Sequence, residues 1–470
     1  MNGRAHHPTS ARRWVTMPAT HAGIVTLALL ILLVAAAAAQ AYSPGQRLWV
    51  KKYGTAAHQV HFSAVASGPG GVACAVGQQG RSGDDDRRGV VVKYSATGRQ
   101  QWARNYPAGA STDFCELTDV TFDTAGNVYV IGQRQRKGSP PDLAVIKYNP
   151  KGVLKWSKLY DGPAHLSDYP GGLAVDAKGF IYASGSSQVD SSTWATVVRK
   201  YDSTGRLKWG KRIAPAGASC PNRDLAIDAS RNVYVVGEYS VFPDTSSYVV
   251  KLSGASGAQL ASDQYRPPDP GGYAYAVSIA VRGSTVVVGG YGYAAAGSTQ
   301  DAMVAGYTLA LKRRYTPVLY DGVAHGSDAV FDVALDAKGN AFATGDAYTS
   351  GPYVDTAQTF KVSPLGAVVW ADAYAGPKND AEGESIVVDG LGNAYVAGYT
   401  ENAAEWDNLL VAKYAAGGIL KRSWLKTWGG EYSVDDAWSI VLGPNGTLYV
   451  SCQGQTKYGL YQGVVAKYAR

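Results

Sequence analysis

The sequence predicts an all-β fold, a single eight-bladed β-propeller of four-stranded blades. Three observations carry that expectation. Residues that close a repeat recur at Tyr53, Tyr106, Tyr160, Ile213, Tyr265, Tyr320, Tyr374 and Trp428, at intervals of 52 to 55 residues. A period of that size, filled by short apolar segments and tight turns, corresponds to one propeller blade. The 56 Gly and 32 Tyr among 470 residues suit a turn-rich β-chain, and no helical periodicity follows residue 41.

Each repeat reads as four strands. The first is an apolar run ending in Asp, as in LAVD (173–176), VTFD (120–123), LAID (225–228), VALD (333–336) and IVVD (386–389). Such a run predicts an innermost strand buried on both faces. A turn such as DAKG or DTAG follows, where Asp and Gly supply the geometry. The second strand alternates, as in NVYVIG (127–132) and FIYASG (180–185), and leads through a longer loop to the third, VVVKY (90–94) or VVRKY (197–201). A second tight turn precedes the outer strand, LKWGKRI (207–213).

Two letters of the repeat invite functional readings that their regularity argues against. Trp opens the outer strand at 49, 102, 156, 209, 370 and 424. An indole in that place predicts packing between blades, worth roughly 2–3 kcal/mol each. Lys stands near the end of the third strand at 93, 147, 200, 251, 361, 413 and 467, with Gly306 as the exception. It is expected to satisfy an Asp or a carbonyl within its blade.

Eight first strands are readable, near 63, 120, 173, 225, 277, 332, 385 and 438, yet only seven outer strands follow them. The missing one is Leu48-Trp49-Val50-Lys51-Lys52-Tyr53, which is predicted to pair with 464–468 and complete the last blade. Such closure hides an edge that would otherwise invite aggregation.

The N-terminus is separate. Arg4, Arg12 and Arg13 precede an apolar run from Gly23 to Ala39, and Ala39-Gln40-Ala41 offers a cleavage site. This order predicts a secretory signal over 1–41 and a propeller over 42–470. The apolar run is at the lower edge for a bilayer span, so an uncleaved anchor is the alternative. Either way the repeats are placed outside the cytoplasm, secreted or on the cell surface. Without 1–41 the formal charge falls from +7 to +4 (41 Lys+Arg against 37 Asp+Glu). With no basic stripe, nucleic-acid binding is excluded. Cys74 and Cys452 fall in second strands and Cys115 and Cys220 in loops, without a CxxC, so buried free thiols are expected.

Segments such as KYDSTGRLKW (200–209), NVYVVGEYS (232–240) and DNLLVAKYAAGG (407–418) resemble bacterial beta-propeller repeats of the SBBP type. The resemblance covers nearly all of 47–470 and implies secreted or surface-attached proteins. It also implies seven blades, where the count here gives eight. YSATGRQQW and YDSTGRLKW are similar, more weakly, to the tryptophan-docking motif of quinoproteins. That likeness would imply a vicinal cysteine pair and a calcium site for the cofactor, and no two cysteines here are adjacent.

Function is expected on the face that carries the long 2–3 loops and the links between blades. Aromatic residues in or beside those loops are the first candidates for binding: Trp194, Tyr239, Tyr291, Tyr293, Tyr353 and Trp406, with Phe242, Tyr348 and Tyr458 nearby. Asp168, Asp328 and Asp435 form the second set, as acids at the starts of first strands. Such acids can tie an incoming loop by its N–H groups or, in the weaker reading, hold Ca²⁺ at the channel mouth. No cofactor is otherwise expected. His58, His165 and His325 share one repeat position and are read as loop residues. No GxSxG, HExxH or Walker loop is present, and no catalytic residue is assigned.

The reading is a non-enzymatic, monomeric binding or scaffold protein for a polysaccharide or protein partner, touching a membrane only through an uncleaved N-terminus. The alternatives are a carbohydrate lyase or hydrolase using channel-mouth acids such as Asp168 and Asp328, and an envelope assembly scaffold.

Overall fold

The computed structural model describes residues 42–470 apart from 56–57, 81–86, 108–112, 270, 295–298, 323–324, 349–353, 402–406, 418–421, 430–435 and 456–459. The predicted signal segment, Tyr353, Trp406, Asp435 and Tyr458 lie outside the described residues. Residues 44–470 form one compact unit of eight four-stranded antiparallel sheets. Blades 1 to 7 span 59–106, 114–160, 168–213, 222–265, 273–320, 327–374 and 381–428. Blade 8 takes three strands from 437–469 and its outer strand, Arg47–Tyr53, from the other end of the chain. Val50 pairs with Ala466 and Tyr53 with Gly463, antiparallel. Each inner strand packs on the next around the ring, and that of blade 8 packs on that of blade 1.

The repeated letters form a single chain of contacts. The Asp ending the inner strand caps its own turn: Asp176 Oδ1 accepts from the Lys178 and Phe180 N–H groups, both at 2.9 Å. Its other oxygen accepts from the Tyr182 hydroxyl, and Asp123, Asp228 and Asp389 do the same for Tyr129, Tyr234 and Tyr395. Over that ring lies the third-strand Lys: Lys147 Nζ is 4.9 Å from the centroid of Tyr129, and Lys200 is 4.9 Å from that of Tyr182.

The ammonium then crosses to the following blade. Lys93 and Trp102 both donate to Pro150 O, at 3.2 and 3.0 Å. Lys147 and Trp156 share Ser203 O, and Lys200 and Trp209 share Gly254 O. For Lys93, Lys147, Lys200, Lys251 and Lys467 the acceptor is in the 3–4 turn of the next blade, which corrects the expectation of a carbonyl within the same blade. Lys251 and Lys361 also reach an Asp of their own blade, Asp228 at 3.9 Å and Asp336 at 4.0 Å. The ring closes through the same contact: Lys467 from one end of the chain and Trp49 from the other both donate to Ala96 O, at 2.9 and 3.1 Å.

Blade 4 has Ala261 in the place of Trp, so Lys251 donates to Leu309 O, at 2.7 Å, without a companion indole. In blade 5, Gly306 replaces Lys and Tyr315 replaces Trp. A methyl group on Gly306 would lie 2.5 Å from the Tyr315 ring, so the missing side chain is what admits the phenol. Between blades 7 and 8, Trp424 Nε1 is buried without an acceptor. No continuous 3–4 turn joins the two strands there, although Gly45 still takes the place beside the indole.

Burial differs from the sequence expectation in two strands. The second strand is buried on both faces over most of its length, as in Val128–Gln135, where the first five residues are buried, whereas Ala174 and Val175 of an inner strand are only half-buried. The inner strand has a bulge in every blade and faces the central channel. The residue after most bulges ties one blade to the next. Asp224 Oδ2 accepts from Ile279 N at 3.0 Å, Asp332 Oδ2 from Ile386 N at 2.9 Å, and Ser385 Oγ from Ile440 N at 3.4 Å. All four cysteines are buried, and none is in a disulfide. Cys115 lies in the inner strand Phe114–Phe122 rather than in a loop.

Glycine in the 3–4 turn serves two needs at once. Gly152 has φ +76°, and a methyl group there would lie 2.6 Å from Trp102; Gly138 has φ +81° and nothing within 4 Å. Gly138→Ala should therefore cost only the backbone penalty, about 1–2 kcal/mol. Gly152→Ala should cost clearly more, because it also displaces the indole. Chemical denaturation of the two variants checks the difference, and equal losses would remove the docking role assigned to the turn.

Candidate functional site: the groove of blades 3 to 5

On the long-loop face, a cavity of about 570 Å³ lies between blades 3 and 4. Trp194 opens the third strand of blade 3 and Tyr169 lies near the start of its inner strand. Their ring centroids are 5.5 Å apart at 32°, and Tyr169 is 40% exposed, so the two make a tilted aromatic wall. Trp194 is held by its backbone: its N–H donates to Ser219 Oγ and its carbonyl accepts from Cys220 N. The indole thus sits on rigid strand and link rather than on a loop tip.

The opposite wall belongs to blade 4. Arg223 is the bulge residue of the inner strand, and it forms an exposed ion pair with Glu238. Asn222, only 3% exposed, donates its amide to Asp224 O and Val236 O, while its Oδ1 is buried against Gly171 without a partner. Beyond Glu238 stands a group of four tyrosines on blade 5. Tyr273 meets Tyr293 at 4.0 Å, and Tyr275 stacks on Tyr291 at 4.9 Å. Burial and then the Glu238 charge raise the hydroxyl pKa values of Tyr275 and Tyr291, which places these rings beside the ion pair. The cavity itself is bounded by the Tyr169–Trp194 wall on one side and by Asn222, Arg223 and Glu238 on the other.

The predicted residues sort into different places. Of them Trp194 lines this cavity, whereas Tyr291 and Tyr293 belong to the tyrosine group of blade 5 outside its lining. Tyr239 instead packs on the apolar cluster of Tyr182, Val198 and Val235. Phe242, at 98% exposure, projects from the 2–3 hairpin of blade 4. Asp168 and Asp328 are 0% and 1% exposed. Each accepts the N–H of its incoming link, Gly162 N at 2.7 Å and Gly322 N at 2.8 Å. They occupy two different groups of carboxylates and do not converge on one site. His165 and His325 each bind the Asp four residues before them.

Sequence reading missed Tyr169, Asn222, Arg223 and the partners Tyr273 and Tyr275. All lie within or just before the inner strands, which looked like core. No residue type marks the bulge, which holds Arg223 here but Ser63, Val277, Phe331, Glu384 and Trp438 in other blades. A second electrostatic feature lies on blades 6 and 7. Asp346, Asp355 and Glu382 bring carboxylate oxygens within 4.8 Å of one another, and burial pushes Asp346 and Asp355 up to about 7.

The comparisons with known proteins agree on architecture. Residues 370–403 match the family described as beta-propeller repeat, SBBP. No curated protein matches the chain. Among solved structures, the quinohemoprotein alcohol dehydrogenase from Comamonas testosteroni is 14% identical with a TM-score of 0.50, covering 90% of this chain and 76% of that one. The polysaccharide lyase Uly1 is 12% identical with a TM-score of 0.49, covering 93% and 95%. Drosophila Plexin A in complex with Semaphorin 1b is 10% identical with a TM-score of 0.41, covering 91% and 88%. At such identities the likeness is one of fold.

Channel and cluster carboxylates set the pH dependence. Burial pushes Asp119 and Asp224 up to about 7, as it does Asp346 and Asp355, against 3.8 for an unperturbed Asp. Between those values the folded chain holds more protons than the unfolded one, so stability must rise as pH falls through the window. Asp190, drawn down to about 2 by its bonds to Thr193 and Ser192, loses its contribution only at lower pH. The denaturation midpoint should therefore be higher at pH 5 than at pH 8, and a lower midpoint at pH 5 would contradict the assignment. The chain is thus an eight-bladed propeller that carries a match to the SBBP-type beta-propeller repeat at 370–403.

Proposed function

We propose that the chain is a non-enzymatic, exported binding protein that holds a carbohydrate polymer in the groove across blades 3 to 5. The observation that carries this reading is the paired ring wall of Trp194 and Tyr169 at the mouth of a polar cavity. A pyranose presents an apolar C–H face to an aromatic ring and hydroxyls to polar groups at its edge. The cavity supplies both: the Tyr169–Trp194 ring wall, and the Arg223 and Glu238 groups opposite it. A wall fixed by strand pairing costs little entropy on binding, which favours affinity. The acids considered for catalysis argue in the same direction. Asp168 and Asp328 are buried and committed to the Gly162 and Gly322 N–H groups, so neither is presented to a substrate.

The export assignment rests on the basic and apolar N-terminal segment followed by Ala39-Gln40-Ala41. The test is affinity electrophoresis of the full chain through gels containing neutral, uronic and sulfated polysaccharides. At least one polymer should retard it. Trp194→Ala should weaken that binding about tenfold or more, as for a central aromatic anchor, with little change in melting temperature. Retardation by no polymer, or equal retardation of Trp194→Ala and Tyr169→Ala, would falsify the reading.

A further inference from the structure

The links entering blades 3 and 6 carry one sequence, Tyr-Asp-Gly-x-Ala-His-x-Ser-Asp, at 160–168 and 320–328. In each copy the first Asp is exposed and held by the histidine, His165 Nδ1 to Asp161 Oδ2 at 2.7 Å and His325 Nδ1 to Asp321 Oδ2 at 2.6 Å. The last Asp, 168 or 328, is buried. A third carboxylate comes from the preceding blade, as the second residue of its third strand: Asp142 in blade 2 and Asp301 in blade 5. In both triads one oxygen from each residue lies within 4.8 Å of the other two.

Three carboxylates so close repel one another unless a cation joins them. Besides His165 at Asp161, the first triad pairs with Arg136, which reaches Asp142 at 3.7 Å and is itself 56% exposed. The buried side of this triad also has unfilled oxygen valence. Asp168 Oδ1 has no hydrogen-bond partner, and neither has Ser187 Oγ, although both residues are 0% exposed. Ser187 pairs across the strands with Asp168 and is close enough to favour its charged form, yet neither atom completes a hydrogen bond. Both atoms face Gly162, where a methyl group would lie 2.3 Å from Ser187 Oγ and 3.0 Å from Asp168 Oδ1. In the second copy, Gln358, 2% exposed, occupies the comparable spot. A methyl group on Gly322 would lie 2.5 Å from Asp328 Oδ1 and 2.8 Å from Gln358 Oε1.

We propose that each of these two links is a calcium-binding site, formed by Asp142, Asp161 and Asp168 in one and by Asp301, Asp321 and Asp328 in the other. All-oxygen, triply anionic donor sets suit a hard cation. Oxygens within 4.8 Å of one another can share one ion at the usual Ca–O distance of about 2.4 Å, and calcium tolerates irregular carboxylate geometry that Mg²⁺ does not. His165 and His325 hold the outer carboxylate in place, as residues behind metal ligands commonly do. The bound ion would tie each link to the third strand of the blade before it. In the first copy it would fix the backbone directly ahead of Tyr169.

The test uses the full chain stripped with EDTA, dialysed and titrated with CaCl₂, reading bound calcium and melting temperature. Asp161→Asn and Asp321→Asn are the variants, since both positions are exposed. Each should remove one equivalent of bound calcium, and the double variant should remove two and lose most of the calcium-dependent rise in melting temperature. The calcium-free melting of all four proteins should agree. No calcium uptake by the unaltered chain, or undiminished uptake by the double variant, overturns the proposal.

Discussion

Four of the eight joints between blades rest on one repeated contact among the described residues, a backbone carbonyl that receives both an indole N–H and a lysine ammonium from the preceding blade. A four-stranded blade has two apolar faces and cannot bury them alone, so its stability is largely that of its interfaces. At Pro150 O the contact fixes an angle as well as an area, because two donors from adjacent strands must converge on one point. Trp102 is 7% exposed and Lys93 5%, so both donors would be costly to leave unbonded. Asp, Tyr and Lys within the blade serve the same contact by holding the ammonium in place.

A second belt runs around the channel, where the residue after most inner-strand bulges bonds to the next inner strand. Outer docking and inner belt together leave the long-loop face free of duties in assembly. That division explains why the aromatic groove of blades 3 to 5 and the twin aspartate links differ from blade to blade on an otherwise uniform ring. Their positions are nevertheless rigid, since Trp194 and Tyr169 stand at strand starts.

Most of the architecture was legible because each blade repeats the same physical problem. The period located the strands, and the surplus outer strand at 48–53 announced the closure before any coordinates. Direction was harder to read. The sequence shows that Lys and Trp recur but not that both reach the next blade, since a period carries no information about which neighbour is touched. Burial was misread in the inner strand, where LAVD looks like core yet lines a channel. The site was only partly legible. Trp194, Tyr291 and Tyr293 stood out as ring residues near long loops, and Tyr239 stood out equally but packs inward. Asn222 and Arg223 were hidden because a bulge cannot be seen in an apolar pattern. Asp168 and Asp328 were found by position, while their partners Asp142 and Asp301, in other blades, were not.

The central claim is that the two ends of the chain close the ring by converging on Ala96 O, Trp49 from the first strand and Lys467 from the last. Removing the first strand leaves Lys467 without its companion donor and exposes the edge of 461–469 along the register from Tyr468 to Gly463. The direct measurement is the denaturation midpoint of a chain beginning after Tyr53 against one beginning at Pro44. The account predicts a melting temperature lower by many degrees, with amide protection lost along 461–469. An unchanged midpoint with 461–469 still protected would contradict it.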